Sequence, residues 1–244
     1  MQQARNVFLT GAAGGIGAAI ATSLIAEGHT VILCDRDQGK VEALADELGV
    51  RAFPLVLDIP DASAVQCVKD RLPAAIGPID TLINNAGHHN GGGVPFADGD
   101  VGDWSSVVET NVTGLIRVTH ALLPSMIELN RGDIVNISSI NAIRVLPNTA
   151  PYSASKAAVH MLTDTLRAEL TGTDIKVTEI NPGLTKTGIQ ARRYKGDAAK
   201  AQAYYDKFRW TLLPEDIARS VMFALNQPLH VQIAQMVVLP TDRA

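Results

Sequence analysis

The sequence predicts an α/β protein: a doubly wound parallel sheet of about seven strands with helices on both faces. Two observations carry that expectation. Short apolar runs of strand type alternate with helix-period stretches along the whole chain. The first unit, from Asn6 to Asp35, reads strand, glycine turn, helix, strand, the compact form of a parallel crossover. A length of 244 residues suits one large domain with a substantial core. Hydrophobic residues at 46% and charged residues at 19% exclude a disordered chain. A net charge of −4 offers little to nucleic acid or an anionic membrane, so neither is an expected partner. Cys34 and Cys67 form no metal or redox spacing and read as small core residues in a reducing compartment. With no signal-peptide pattern and no apolar run near ~18 residues, a cytoplasmic protein is expected.

Asn6–Thr10 is the first strand, and it breaks at once into GAAGGIG, Gly11 to Gly17. Ile16, Ile20, Leu24 and Ile25 then recur at helical spacing, with Gly28 as a stop. Glycines in such a turn let backbone N–H groups approach a pyrophosphate at the helix N-terminus. The spacing Gly11-x3-Gly15-x-Gly17 is neither the G-x-G-x-x-G fingerprint nor a lysine-bearing phosphate loop. Asp35 ends the second strand, Thr30–Asp35, where a carboxylate accepts hydrogen bonds from the adenosine ribose and repels a 2′-phosphate. NAD is therefore expected; Arg36 beside it could hold that phosphate, which keeps NADP as the alternative. A helix over Lys40–Leu48 follows, then a strand over Ala52–Leu57. Asp58 at its end could bond the adenine amine. A helix over Ala62–Leu72 is closed by Pro73. The fourth strand, Ile79–Gly87, ends in small residues that leave room for a flat ligand at the sheet's carboxyl edge.

Beyond the loop Gly91–Asp103 the spacing predicts one long helix, Asp103–Asn130. Asn111 falls near its middle, where an asparagine is disfavoured unless its side chain has another task. Asp133–Ser138 is the fifth strand and delivers Ser139. Tyr152 opens a helix that runs to Thr171, with Lys156 one turn on and on the same face. A phenol is a poor base at neutral pH, and a nearby ammonium favours the phenolate; lowering its pKa by about two units takes roughly 2.7 kcal/mol. Ser139, Tyr152 and Lys156 thus read as a proton-transfer site. Lys176–Gly183 is the sixth strand, the polar stretch from Leu184 to Trp210 has the character of a substrate lid, and Pro214 starts a helix with early acids. Gln235–Leu239 closes the sheet.

In this combination the motifs resemble the short-chain dehydrogenase/reductase family over almost the whole chain. Thr10-Gly11-x3-Gly15-Ile16-Gly17 resembles its cofactor turn, Asn84-Asn85-Ala86-Gly87 its strand-four motif, and Asn111, Ser139, Tyr152 and Lys156 its catalytic four. Pro182-Gly183, with Thr185 and Thr187, resembles the segment that holds the nicotinamide carboxamide. The resemblance implies a single Rossmann domain over residues 1–244 with a lid at about 184–212, assembled as a homodimer or homotetramer. It also implies that a dinucleotide meets Gly11, Gly15, Ile16 and Gly17 at the pyrophosphate, Asp35, Arg36, Asp58 and Ile59 at the adenosine, and Asn85, Ala86 and Gly87 along the switch point. In the implied chemistry, Tyr152 takes the proton of an alcohol as hydride passes to the nicotinamide. Lys156 lowers the phenol's pKa and holds the nicotinamide ribose, Ser139 bonds the substrate oxygen, and Asn111 anchors a relay water. The C-terminal third, with Arg193-Tyr194-Lys195-Gly196-Asp197 and Pro214-Glu215-Asp216, resembles the branch of 3-hydroxy acid and serine dehydrogenases. Asp35 departs from that branch, many of whose members resemble NADP enzymes.

Around the substrate we expect His88, Asn141, Arg144, Asn148, Arg192 and Arg193, with the arginines able to clamp a carboxylate or sulfonate. His88 and His89 lack a third ligand at a recognised spacing, so no metal is expected. Ser153-x-x-Lys156 with Lys186-Thr187-Gly188 matches fragments of a serine acyl-enzyme signature, without its Ser-Asp-Asn element. A nucleotide-binding regulator that keeps the fold without activity is the non-enzyme alternative.

Overall fold

The computed structural model of the chain describes residues 4–242, so both ends of the expected domain lie outside the described residues. Its strands are β1 (Asn6–Thr10), β2 (Thr30–Asp35), β3 (Ala52–Val56), β4 (Thr81–Asn84), β5 (Gly132–Ile137), β6 (Ile175–Pro182) and β7 (Gln235–Val238). They form one parallel sheet in the order β3-β2-β1-β4-β5-β6-β7. Strand numbers rise outward on both sides of the β1/β4 boundary, which makes that boundary the switch point at which such sheets bind ligands. The helices are α1 (Gly15–Ala26), α2 (Gln38–Leu48), α3 (Ala62–Gln66), α4 (Val101–Val108), α5 (Leu115–Leu129), α6 (Ala150–Glu169), α7 (Ile189–Arg193), α8 (Ala198–Tyr205) and α9 (Pro214–Leu225).

Side chains alternate across a strand, so a sheet covered on both faces needs apolar residues in unbroken runs. β1 shows this: Val7 and Leu9 pack into the layer of α1, α2 and α9, while Phe8 packs into the layer of α3, α5 and α6. All three are fully buried, and burial of such side chains stabilises by about 1.5–3 kcal/mol each. Sheet and both helical layers make one domain.

Several expected elements change shape. The long helix Asp103–Asn130 is α4 and α5 joined by a π-helical turn, Glu109–Gly114, which carries Asn111. A widened turn of this kind re-aims a side chain without ending the helix. The helix Ala62–Leu72 shortens to α3 and a 3₁₀ turn at Lys69–Arg71, because Pro73 drives Leu72 into an extended conformation. β4 stops at Asn84, where pairing with Asn136 ends. The next two N–H groups, of Asn85 and Ala86, both donate to the Thr10 hydroxyl at 3.0 Å, turning the chain across the switch point. Cys34 is buried as expected, but Cys67 is exposed, because it falls at the end of α3 on the solvent side.

Candidate active site

One cavity of about 700 Å³ runs along the carboxyl edge of the sheet. Its first wall is the turn between β1 and α1. Gly11 has a φ of +64°, and a Cβ there would stand 2.8 Å from Ala86 Cα; a Cβ on Gly17 would stand 2.1 Å from the Gly11 carbonyl oxygen. Both glycines are thus required by the close passage of this turn against β4 and against itself. Gly14 caps α1 with no side-chain acceptor, and no acid lies in the first turn. Free N–H groups at a helix N-terminus, lining a cavity, form a site for an anionic group such as a pyrophosphate. Asp35 stands beside it, accepting from Ala13 N–H at 3.0 Å and Asp37 N–H at 3.1 Å, and its carboxylate lines the cavity. Arg36, exposed, lines the same end with Asp58 and Ile59. Gly15, Ile16, Asn85, Ala86, Gly87, Pro182, Gly183, Thr185 and Thr187 continue the wall toward the other end. The donor set and the elongated cavity fit a nicotinamide dinucleotide.

Tyr152, Ser139 and Lys156 meet at that other end. β5 ends at Ile137 and its continuation carries Ser139, whose hydroxyl accepts from Asn141 N–H at 3.2 Å and hydrogen-bonds the Tyr152 phenol. Tyr152 is the third residue of α6, and Lys156 follows one turn on. Lys156 Nζ donates to the Ile137 carbonyl at 2.9 Å and lies 6.0 Å from the centre of the Tyr152 ring. Burial lowers Lys156 to about 8, opposed by the carboxylate of Glu179. The phenol of Tyr152 stands above its ordinary value, the reverse of the sequence expectation, because burial outweighs the favourable Ser139 bond.

Asn111 is buried but does not line the cavity. Its Oδ1 accepts from His88 N–H at 2.9 Å, and its Nδ2 donates to the His88 carbonyl at 3.1 Å and to Ser155 Oγ at 3.0 Å. The side chain is therefore a clamp between the turn after β4 and α6.

His88, Asn141, Arg144, Arg192 and Arg193 line the cavity around Tyr152. Asn148 does not: it is exposed with φ 62°, and its carbonyl accepts from Gly93 N–H at 2.9 Å, so it serves as a left-handed turn residue. Arg193 is held between Tyr194 and Tyr204, its guanidinium carbon 5.5 and 5.1 Å from their ring centres, and its buried Nε has no hydrogen-bond partner among the described residues. The segment after β6 is tied at its base by Lys186 N–H to Leu212 O at 2.8 Å and Leu212 N–H to Leu184 O at 2.9 Å. Between those ties α7 and α8 cover the cavity with Ile189, Arg192, Arg193 and Tyr204.

Sequence reasoning missed Glu179 and Tyr204. Glu179 is wholly buried on β6, 2.7 Å from His160 Nδ1, and its signal was a lone acid inside the otherwise strand-like KVTEINPG. Tyr204 had no signal beyond its aromatic neighbours. Among the described residues no group of three or more histidine, cysteine or acidic side chains is placed to hold a metal ion, and no helix is long and apolar enough to cross a membrane.

The sequence profile described as short chain dehydrogenase matches residues 5–198. A sulfoacetaldehyde reductase of Chromohalobacter salexigens is 39% identical over 241 residues, covering 98% of this chain and 95% of that protein. An NADP-dependent 3-hydroxy acid dehydrogenase of Salmonella typhimurium is 38% identical, covering 98% and 96%. The closed form of a serine dehydrogenase complexed with NADP+ superposes with a TM-score of 0.95 at 36% identity, covering 98% of this chain and 96% of that one.

Proposed function

This chain belongs to the short-chain dehydrogenase/reductase family, an oxidoreductase that acts on CH–OH groups with a nicotinamide dinucleotide, and we propose that it interconverts a small alcohol bearing a carboxylate or sulfonate with its ketone or aldehyde, using NAD. The observation that carries the reaction is the Ser139–Tyr152–Lys156 cluster, which shares one cavity with the open N-terminus of α1. The nicotinamide, when bound, supplies the hydride acceptor. Tyr152 Oη, as the phenolate, takes the alcohol proton in oxidation, and as the phenol gives a proton to the carbonyl oxygen in reduction. Ser139 Oγ bonds the same substrate oxygen and keeps it facing the phenol. Lys156, fixed by Ile137 O, is a positive charge near the phenol and would hold the nicotinamide ribose. Gly11, Gly15, Ile16 and Gly17 would hold the pyrophosphate, and Pro182, Gly183, Thr185 and Thr187 the carboxamide.

Arg193 supports the acidic substrate: its guanidinium, packed over the rings of Tyr194 and Tyr204, lines the cavity with Arg144 and Arg192, a basic wall suited to a carboxylate or sulfonate. The names of the two relatives, a sulfoacetaldehyde reductase and a 3-hydroxy acid dehydrogenase, favour the same class. Asp35 supports NAD, since a 2′-phosphate would meet its charge. Arg36, exposed at the same end, and the NADP named for the dehydrogenase and the serine dehydrogenase complex favour NADP as a second reading. Residues 184–212 act in this reading as a lid. We also read the assembly as a homodimer or homotetramer, on the exposed Ile116 and Ile127 of α5 and Met161 of α6, and the location as cytoplasmic, on the unpaired Cys34 and Cys67.

A panel of hydroxy acids, hydroxy sulfonates and matched neutral alcohols, followed by nicotinamide absorbance with NAD and NADP in parallel, tests the activity, the substrate class and the cofactor. Turnover confined to the acidic members and faster with NAD is the expected result. Faster turnover of the neutral alcohols would overturn the substrate class, and absence of any turnover the activity.

A further inference from the structure

His89 has no part in the chemistry above, yet its imidazole lies flat against the phenol of Tyr152, with ring centres 4.3 Å apart and planes 19° apart. We propose that His89 is a positioning residue that fixes the orientation of the Tyr152 ring by stacking on it. The inference rests on Tyr152 as the acid/base group of the proposed reaction.

The surroundings of His89 are built to house a flat ring. A Cβ on Gly92 would stand 2.1 Å from His89 Nε2 and 2.6 Å from its Cδ2, so any side chain at residue 92 would displace the imidazole. The backbone of Gly92 is outside the left-handed region, so the space taken by the imidazole excludes a larger residue there, not the conformation. The preceding residue is gripped on both sides of its backbone by Asn111, through His88 N–H and His88 O. The same Asn111 amide reaches Ser155 Oγ, and that hydroxyl donates to the Tyr152 carbonyl at 2.7 Å. The main chain beside His89 and the main chain of Tyr152 are thus tied through two side chains, and the two rings close the circuit.

The stack has a chemical use. The phenol oxygen must meet the reacting oxygen, and a ring at the edge of a large cavity turns about its side-chain torsions unless one face is covered. Offset aromatic stacking covers that face without a directional bond that would compete for the hydroxyl. Burial and the nearby Arg193 charge push His89 down to about 3, so at neutral pH the stacking ring is uncharged and adds no second cation beside Lys156. The stack on Tyr152 is its contact with the machinery.

The test uses the full-length protein with isotopically labelled tyrosine. The chain has four tyrosines, and comparison with Tyr152→Phe identifies the Tyr152 signal. In His89→Ala that signal should move and its ring flips should quicken; His89→Phe should retain both native properties. Gly92→Ala should move the signal in the native background and have no further effect on top of His89→Ala. With a substrate from the panel, His89→Ala should lower kcat about tenfold at little changed cofactor KM, and His89→Phe should restore it. Unchanged ring flips in His89→Ala overturn the proposal. So does a His89→Phe variant as impaired as His89→Ala, which would assign the role to the imidazole nitrogens. If the native enzyme turns over nothing, the functional reading falls, while the ring flips still decide whether His89 holds Tyr152.

Discussion

Lys156 aims its ammonium at the carbonyl of Ile137, 2.9 Å away, and not at the phenol of Tyr152 one turn before it on α6. Ile137 ends β5, so the sheet sets where this charge sits, and the flexible stem of the lysine does not. The carboxylate of Glu179, buried on the adjacent strand β6, opposes the burial that would strip Lys156 of its proton. Burial raises the Tyr152 phenol above its ordinary value, and the hydrogen bond with Ser139 works against that rise.

Tyr152→Phe removes the hydroxyl proposed to move the alcohol proton. Turnover should fall by at least about 100-fold, while NADH binding, followed by fluorescence, stays within about twofold. Lys156→Arg should lose turnover as well, since a forked guanidinium does not fit a buried site built around one carbonyl acceptor. A near-native rate in Tyr152→Phe would remove the assignment.

Asp35→Asn keeps an acceptor for Ala13 N–H while removing the charge at the adenosine end. The ratio of kcat/KM for NADP over NAD should rise by about tenfold, the effect of roughly 1.4 kcal/mol of relieved repulsion. An unchanged ratio would mean that Arg36 sets the preference.

Asn111→Ala leaves a buried N–H and a buried carbonyl of His88 without partners. Stability in urea should drop by about 2–4 kcal/mol, with activity lost alongside. A drop below about 1 kcal/mol would show that water replaces the clamp.

His89 sets a pH dependence of stability. Its folded-state value, about 3, lies below the ordinary histidine value, so between the two the unfolded chain binds the proton and the native state does not. Stability is complete above the ordinary value near ~6.5 and falls with acidification; by pH ~5 the loss from this group is about 2 kcal/mol. The native protein should lose about that much more than His89→Phe between pH ~7.5 and ~5 in denaturant titrations. Parallel losses in the two proteins would refute this linkage.

What the sequence determined by itself is local. β1 and β2 lie where the apolar runs stand, Asn6–Thr10 and Thr30–Asp35, because each run has one period and a clear break at its end. The glycine turn, the delivery of Ser139 by β5 and the one-turn step from Tyr152 to Lys156 are legible for the same reason: neighbours along the chain fix them. The tertiary structure decided what depends on residues brought from afar. It moved Asn148 out of the cavity, turned Asn111 into a clamp, left Cys67 in solvent and set His89 on Tyr152. It also reversed the expected direction at the phenol. Sequence shows that a positive charge is near Tyr152, but desolvation is the sum of every atom packed around a group, and only the folded chain supplies that sum.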